Sequence, residues 1–381
     1  MASDFIPVNE PLLDGNEKKY LAECIDSGWI SSEGRFVQRL EERMAERMKR
    51  KFAIAVCNGS VALDVAVAAL GLGHGDEVIM PAFTIISCAA AIVRAGAKPV
   101  VVDADPVTWN MDVEQVAGVI TEHTRAIMVV HIYGLPVNMD PIVELAKNHG
   151  LKIIEDAAEV IGQTYKGRPC GSFGDISTLS FYSNKHVTTG EGGMVLTNDL
   201  ILAERCRSLR NLCFQKKRFV HEELGWNFRM SNVQAAIGVA QMERLDAFVE
   251  RKRRMGHYYH ELLKNVAGLQ LPLPTTDYAD NIYWVYGVIL SDDIPFDAEH
   301  AMKWLAANGV GTRPFFWPMH EQPVFRRMGW FKDVRLPVAE RLARRGFYLP
   351  SGLALRNEEL SMACDACHAL IALGPGLPAL K

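Results

Sequence analysis

The feature that most constrains this chain is an alternation. From about residue 50 to 255, short apolar runs take turns with helical stretches. The runs are Ala53–Cys57, Glu77–Met80, Pro99–Asp103, Ala126–His131, Lys152–Glu155 and Ser177–Phe181. Helical patterns intervene at Ser60–Leu72, Ser87–Ala95, Asp140–His149 and Leu200–Leu209. Strands buried on both faces read as continuous apolar runs, and pairing them in parallel needs a crossover, usually a helix. The pattern therefore predicts an α/β fold with a mostly parallel sheet covered by helices.

A single long helix is expected over Ser231–His260, and Arg251-Lys-Arg-Arg254 near its end reads as a solvated face. A proline-containing joint, Pro272–Asp277, comes next. Beyond it strand (Tyr283–Leu290) mixes with helix (Ala298–Ala307, Pro337–Arg345, Asn357–Leu373), with Asp297 as a natural N-cap. With 381 residues, two lobes are the default. The expected division is a large domain over 1–255 and a smaller α+β domain over 256–381.

The net charge of −4 offers nothing to nucleic acid or an anionic membrane. No apolar run approaches the roughly 20 residues needed to span a bilayer, and Met1–Asn9 lacks a signal-peptide pattern. The eight cysteines are then expected to be reduced thiols in a cytoplasm. Cys364-Asp-Ala-Cys367-His368 has haem-attachment spacing, but without export it reads as two thiols and a histidine on a helix. No metal site is expected.

Chemistry concentrates in three segments. In the first, Ser180-Phe-Tyr-Ser-Asn-Lys185, a strand ends and a polar loop presents Lys185, followed by glycines at 190, 192 and 193 and then by another apolar strand, Met194–Thr197. A lysine partly desolvated at a strand exit can lose its proton and act as a nucleophile or Schiff-base amine. The second is Asp156, which closes Lys152-Ile-Ile-Glu-Asp156 at the carboxyl end of a strand, where open α/β sheets bind ligands. In the third, Cys57-Asn-Gly-Ser60, a strand meets a helix whose unpaired N–H groups and dipole suit a phosphate. Ser180 adds a second hydroxyl. Each segment alone has a plainer reading: a surface lysine, a helix cap, an ordinary turn.

Together they resemble the DegT/DnrJ/StrS family of sugar aminotransferases. Ser180–Gly193 fits the family's S-F-x-x-x-K-x-x-T-x-G-E-G-G, Glu155–Glu159 its E-D-A-A segment, and Asn58–Leu63 its N-G-T/S-x-A-L turn. The likeness runs from Leu13 to about Leu373. It implies a fold-type-I architecture, a seven-stranded-type sheet with a smaller C-terminal domain, and pyridoxal 5'-phosphate as cofactor. Lys185 would carry the cofactor and shuttle protons, Asp156 would pair with its ring nitrogen, and Glu159 would lie near its phenolate. Gly59, Ser60 and Ser180 would hold the phosphate, joined by Asn227 from the partner of a homodimer. Trp29, Arg313 and His320 match segments that line a sugar site.

The implied reaction moves an amino group from L-glutamate to a 4-keto-6-deoxy sugar nucleotide, GDP-4-keto-6-deoxymannose foremost. The alternatives are a UDP- or dTDP-linked keto sugar, a dehydratase of the same fold, or a regulatory binding protein. One departure concerns Pro81-Ala-Phe-Thr-Ile85. Many relatives place an aromatic residue at the last position to stack on the cofactor, so Ile85 or Phe83 has to serve. His186 is expected to be structural or solvent-facing.

Overall fold

The computed structural model describes residues 5–217 and 219–374. The ends of both expected domains, 1–4 and 375–381, lie outside the described residues. In chain order the elements are α1 (Glu17–Ser27), α2 (Arg35–Arg47), β1 (Phe52–Val56), α3 (Gly59–Ala69), β2 (Glu77–Pro81), α4 (Ile86–Arg94), β3 (Lys98–Val102), α5 (Val113–Val116), β4 (Thr124–Val130), α6 (Met139–His149) and β5 (Lys152–Asp156). A short hairpin, β6 (Thr164–Tyr165) and β7 (Arg168–Pro169), precedes β8 (Ile176–Ser180), β9 (Gly193–Thr197), α7 (Leu200–Arg210), α8 (Asn232–Met242) and α9 (Leu245–Leu263). The remainder comprises β10 (Leu269–Gln270), β11 (Tyr286–Leu290), α10 (Ala298–Ala307), β12 (Arg313–Pro314), α11 (Pro323–Arg327), α12 (Pro337–Arg345), β13 (Gly346–Leu349) and α13 (Asn357–Leu373).

Seven strands form the main sheet in the order β1-β9-β8-β5-β4-β2-β3. β9 runs antiparallel to both neighbours and the other pairings are parallel. Strand residues alternate between two cores. Ala53, Ala55, Ile153 and Leu179 pack on one face with Leu40, Ile142 and Val239. Ile54, Val56, Ile154 and Ile176 pack on the other with Leu63, Ala91 and Cys206. The same alternation sends Glu155 and Asp156 to opposite faces. A four-stranded antiparallel sheet, β10-β11-β13-β12, forms a third core with α9, α10 and α13. In that core Cys364 and Cys367 are buried and unpaired.

Several expectations need correcting. The segment 231–260 is two helices, broken at Glu243-Arg244, and α8 starts on a capping box between Ser231 and Gln234. The basic run at 251–254 is not wholly solvated, because Lys252 is 1% exposed. The second-lobe strand starts at Tyr286, since Tyr283 turns the chain with φ of 47°. Of the two readings of His186, structural or solvent-facing, its full burial leaves the structural one. No helix among the described residues is long and apolar enough to cross a membrane.

Candidate active site

A cavity of about 1000 Å³ opens where β1, β5 and β8 end and the chain turns into α3 and the Lys185 loop. Asp156, Glu159, Ser180, Lys185, Gly59 and Ser60 all line it. Three distant segments therefore converge because each lies at the carboxyl end of a strand of one sheet, β5 and β8 side by side and β1 across β9.

The turn into α3 is built by contact. The Asn58 side chain caps the helix, accepting from the Val61 N–H at 3.0 Å. A Cβ at Gly59 would lie 2.6 Å from Ser180 Cβ, and one at Gly193 would lie 2.4 Å from the Asn58 carbonyl oxygen. Glycine at both positions lets the helix start, the end of β8 and the start of β9 touch. The first N–H groups of α3 have no partner inside the helix. Beside them stand the Ser180 hydroxyl and that of Ser60, which is 2.7 Å from the hydroxyl of Ser87. Ser87, in the first turn of α4, also lines the cavity.

Lys185 has a side chain 9% exposed, and its Nζ is 3.8 Å from Glu159 Oε1. It sits 3.6 Å from the centroid of the Trp284 ring. Burial pulls this amine below the ordinary lysine range, while the Glu159 and Asp156 carboxylates oppose that shift. Burial likewise raises Glu159 to about 7, against the attraction of Lys185 and a 2.8 Å hydrogen bond from the Tyr133 N–H. Asp156 is pushed up by burial too, although the Ala158 N–H and the charge of Lys185 favour its ionised form. The Cys88 thiol donates to Asp156 at 3.4 Å. Behind Asp156, Glu155 is held by five donors, namely His131, Ser177 and the N–H groups of Gly171, Phe173 and Gly174. His131 Nδ1 accepts from Val137, so its Nε2–H is what donates to Glu155.

The remaining expected residues lie elsewhere. Ile85 lines the cavity; Phe83 does not, being fully buried among Tyr133, Phe315 and Phe316. Asn227 is exposed and is not part of the lining of its own chain's cavity, although Trp226 and Phe228 on either side are. Trp29 is 56% exposed and away from the cavity. Arg313 is exposed on β12 opposite Tyr348, a lining residue. His320 does not line the cavity; it is fully buried, 3.0 Å from Glu340. Its neighbourhood holds Glu321 and Glu340, with Arg344 paired to Glu321.

Trp284, Ser87 and Asn184 went unseen in the sequence. Asn184 lines the cavity with its Oδ1 buried and without a hydrogen-bond partner. Its place directly before Lys185 is the one sequence signal that could have found it.

The donor set fits pyridoxal phosphate. An amine of lowered proton affinity, a buried carboxylate and an anion cradle on a helix start share one cavity. Fold and site define a cofactor-dependent aminotransferase of α/β architecture. The chain belongs to the DegT/DnrJ/EryC1/StrS aminotransferase family, which it matches over residues 11–368. Its cofactor is pyridoxal 5'-phosphate. It is 43% identical over 365 residues to the GDP-perosamine synthase of Escherichia coli O157:H7, covering 96% of this chain and 98% of that protein. The GDP-perosamine synthase of Vibrio cholerae is 40% identical over 362 residues, with 94% and 97% covered. The solved structure of DesI in the presence of its TDP-sugar product superimposes with a TM-score of 0.89 at 32% identity, covering 99% of this chain and 95% of that one.

When bound, the cofactor supplies a carbonyl that takes up amines and a ring that spreads the electrons left by a departing proton. The chain's residues set the conditions for this. Burial lowers the proton affinity of Lys185, which makes the neutral form of the amine, the form that can attack a carbonyl, easier to reach. Trp284 packs its ring against the amine and so fixes one side of it.

Proposed function

We propose that this enzyme transfers the amino group of L-glutamate to C4 of GDP-4-keto-6-deoxymannose, giving GDP-perosamine and 2-oxoglutarate. What carries the reading is the placement of Lys185 Nζ, buried against Trp284 beside Glu159, in a cavity that also holds Asp156 and the start of α3. The sugar is suggested by the two perosamine synthases, whose likeness extends over nearly the whole chain.

In this reading Lys185 attaches the cofactor and moves the proton in both half-reactions. Asp156 holds the proton on the ring nitrogen, and Glu159 serves the phenolate side. Gly59, Ser60, Ser180 and Ser87 hold the phosphate. Trp29, Arg313 and His320 belong to the sugar end, with Arg313 best placed for a diphosphate because it is exposed beside Tyr348. The working unit is a homodimer in the cytoplasm, in which Asn227 reaches the partner's phosphate. Its exposure outside its own cavity supports this.

The test is turnover with L-glutamate against GDP-, UDP- and dTDP-linked 4-keto-6-deoxy sugars, reading the amino sugar and 2-oxoglutarate together. Faster turnover of the GDP-sugar is expected. Activity confined to UDP- or dTDP-sugars would replace the acceptor but keep the reaction; activity on free keto acids alone would overturn the substrate class.

A further inference from the structure

Lys252 is a charged residue where charge is expensive. It lies on α9, 1% exposed, and among the described residues it forms no ion pair. Burial, with the nearby charge of Lys185, lowers its proton affinity to about 7. A buried amine without a carboxylate is retained only where its hydrogen bonds repay the desolvation. Here Nζ donates to two main-chain carbonyls, those of Trp284 (2.8 Å) and Ser351. These are far apart in sequence and belong to the two segments that flank β11 and β13.

The Trp284 end of this tether leads directly to the cavity. The Trp284 indole N–H donates to the Asn184 carbonyl at 2.8 Å, one residue before Lys185. His186, one residue after, bonds through Nε2 to the Ile282 carbonyl at 3.2 Å. The segment 282–284 is thus stitched to 184–186 on one side and to Lys252 on the other. Its backbone has little freedom of its own, because Tyr283 has positive φ and its ring fills the space beside Gly256, where a Cβ would lie 2.2 Å away. The result is an indole ring held 3.6 Å from Lys185 Nζ.

We propose that Lys252 is a positioning residue for the amino-transfer reaction: by gripping the Trp284 carbonyl it holds the indole against Lys185 and presents that amine at one fixed place. The proposal rests on Lys185 being the reacting amine. A misplacement of about an ångström at a reacting group can cost up to about a hundredfold in rate, so a tether two residues removed from the chemistry can matter.

The test compares Lys252→Met, which keeps the length and loses the donors, with Lys252→Arg, which keeps donors. Both are made in the parent and in a Trp284→Ala background, as the full-length enzyme loaded with pyridoxal phosphate. Single-turnover reaction with L-glutamate gives the rate at saturation and the half-saturating concentration. Separately, the protein stripped of cofactor is treated with trinitrobenzenesulfonate, and labelling of the Lys185 peptide is timed by mass spectrometry. The expectation for Lys252→Met is a rate roughly tenfold lower or worse, with half-saturation within about twofold and slower or altered Lys185 labelling. Lys252→Arg should recover part of both, and the effect on rate should largely vanish once Trp284 is Ala, since coupled residues are not additive. A full effect persisting in the Trp284→Ala background overturns the proposal, and so does a Lys252→Met enzyme that is less heat-stable yet reacts at the parental rate. Should Lys252→Met not fold, Trp284→Phe, which loses only the indole donor to Asn184, must slow the reaction or the proposal fails. If borohydride fixes the cofactor on a lysine other than Lys185, the reading of the site fails instead, and that result is visible before any variant is made.

Discussion

The two acidic neighbours on β5 show how one strand serves structure and chemistry with adjacent residues. Asp156 lines the cavity, where the charge of Lys185 favours its ionised form, whereas Glu155 is locked on the reverse face. Asp156→Asn should keep the fold and bind the cofactor, but turnover should fall on the order of a hundredfold, as for loss of a group that controls a proton. Steady-state kinetics on cofactor-saturated protein check this; near-parental turnover would remove Asp156 from its role. For Glu155, burial alone would raise proton affinity, but His131 and the N–H groups of Gly171 and Gly174 outweigh it and bring the group down to about 2. A carboxyl whose affinity is lower in the folded state stabilises the protein above its unfolded value of 4.5 and loses that contribution as pH falls toward 2. Glu155→Gln should therefore cost a few kcal/mol at pH 7. The gap to the parent should narrow between pH 4.5 and 3, read from urea midpoints. A gap that stays constant with pH would mean that packing, not charge, holds Glu155.

Among the elements, α3 shows how a helix start becomes a binding surface. Its first residue is a glycine because Ser180 leaves no room for a Cβ. Gly59→Ala should push the turn away from β8 and weaken pyridoxal phosphate binding roughly tenfold or more, while the helix itself tolerates alanine. Equilibrium titration of cofactor absorbance measures this, and unchanged affinity would place the phosphate elsewhere. Much of this element was legible in the sequence: Asn58-Gly59-Ser60 announces a capped turn, and apolar runs located all seven main strands to within a few residues. What stayed hidden was set by contacts distant in sequence. Periodicity runs on through Glu243-Arg244, so the break between α8 and α9 left no mark. Lys252 looks like its neighbours Arg251 and Arg253, and only the carbonyls of Trp284 and Ser351 distinguish it. Trp284 sits about a hundred residues from Lys185, without a motif to link them. Of the two residues offered for stacking on the cofactor ring, Ile85 lines the cavity and Phe83 does not.

At the scale of the whole molecule, exposed Asn227 makes a prediction about assembly. If each site takes its lysine from one chain and its asparagine from the other, mixing inactive Lys185→Ala with inactive Asn227→Ala should restore activity, because one hybrid site carries neither lesion. Recovery approaching about a quarter of parental activity is expected from random pairing of two such chains into dimers with one intact site in half of them. No recovery despite subunit exchange, followed by tagged-subunit pull-down, would mean that each site is complete within one chain. The cavity also has a history written into its lining. Its walls begin at Asn58 and end at Tyr348, so they are drawn from segments far apart in the chain. At about 5–20 residues per second, the ribosome finishes the last wall on the order of tens of seconds after the first. For part of that interval the phosphate turn and the lysine loop exist without Trp284 or Tyr348 to complete the walls. The complete cavity is therefore available only once the chain has been made through Tyr348, which ties a site begun at Asn58 to the arrival of the C-terminal sheet.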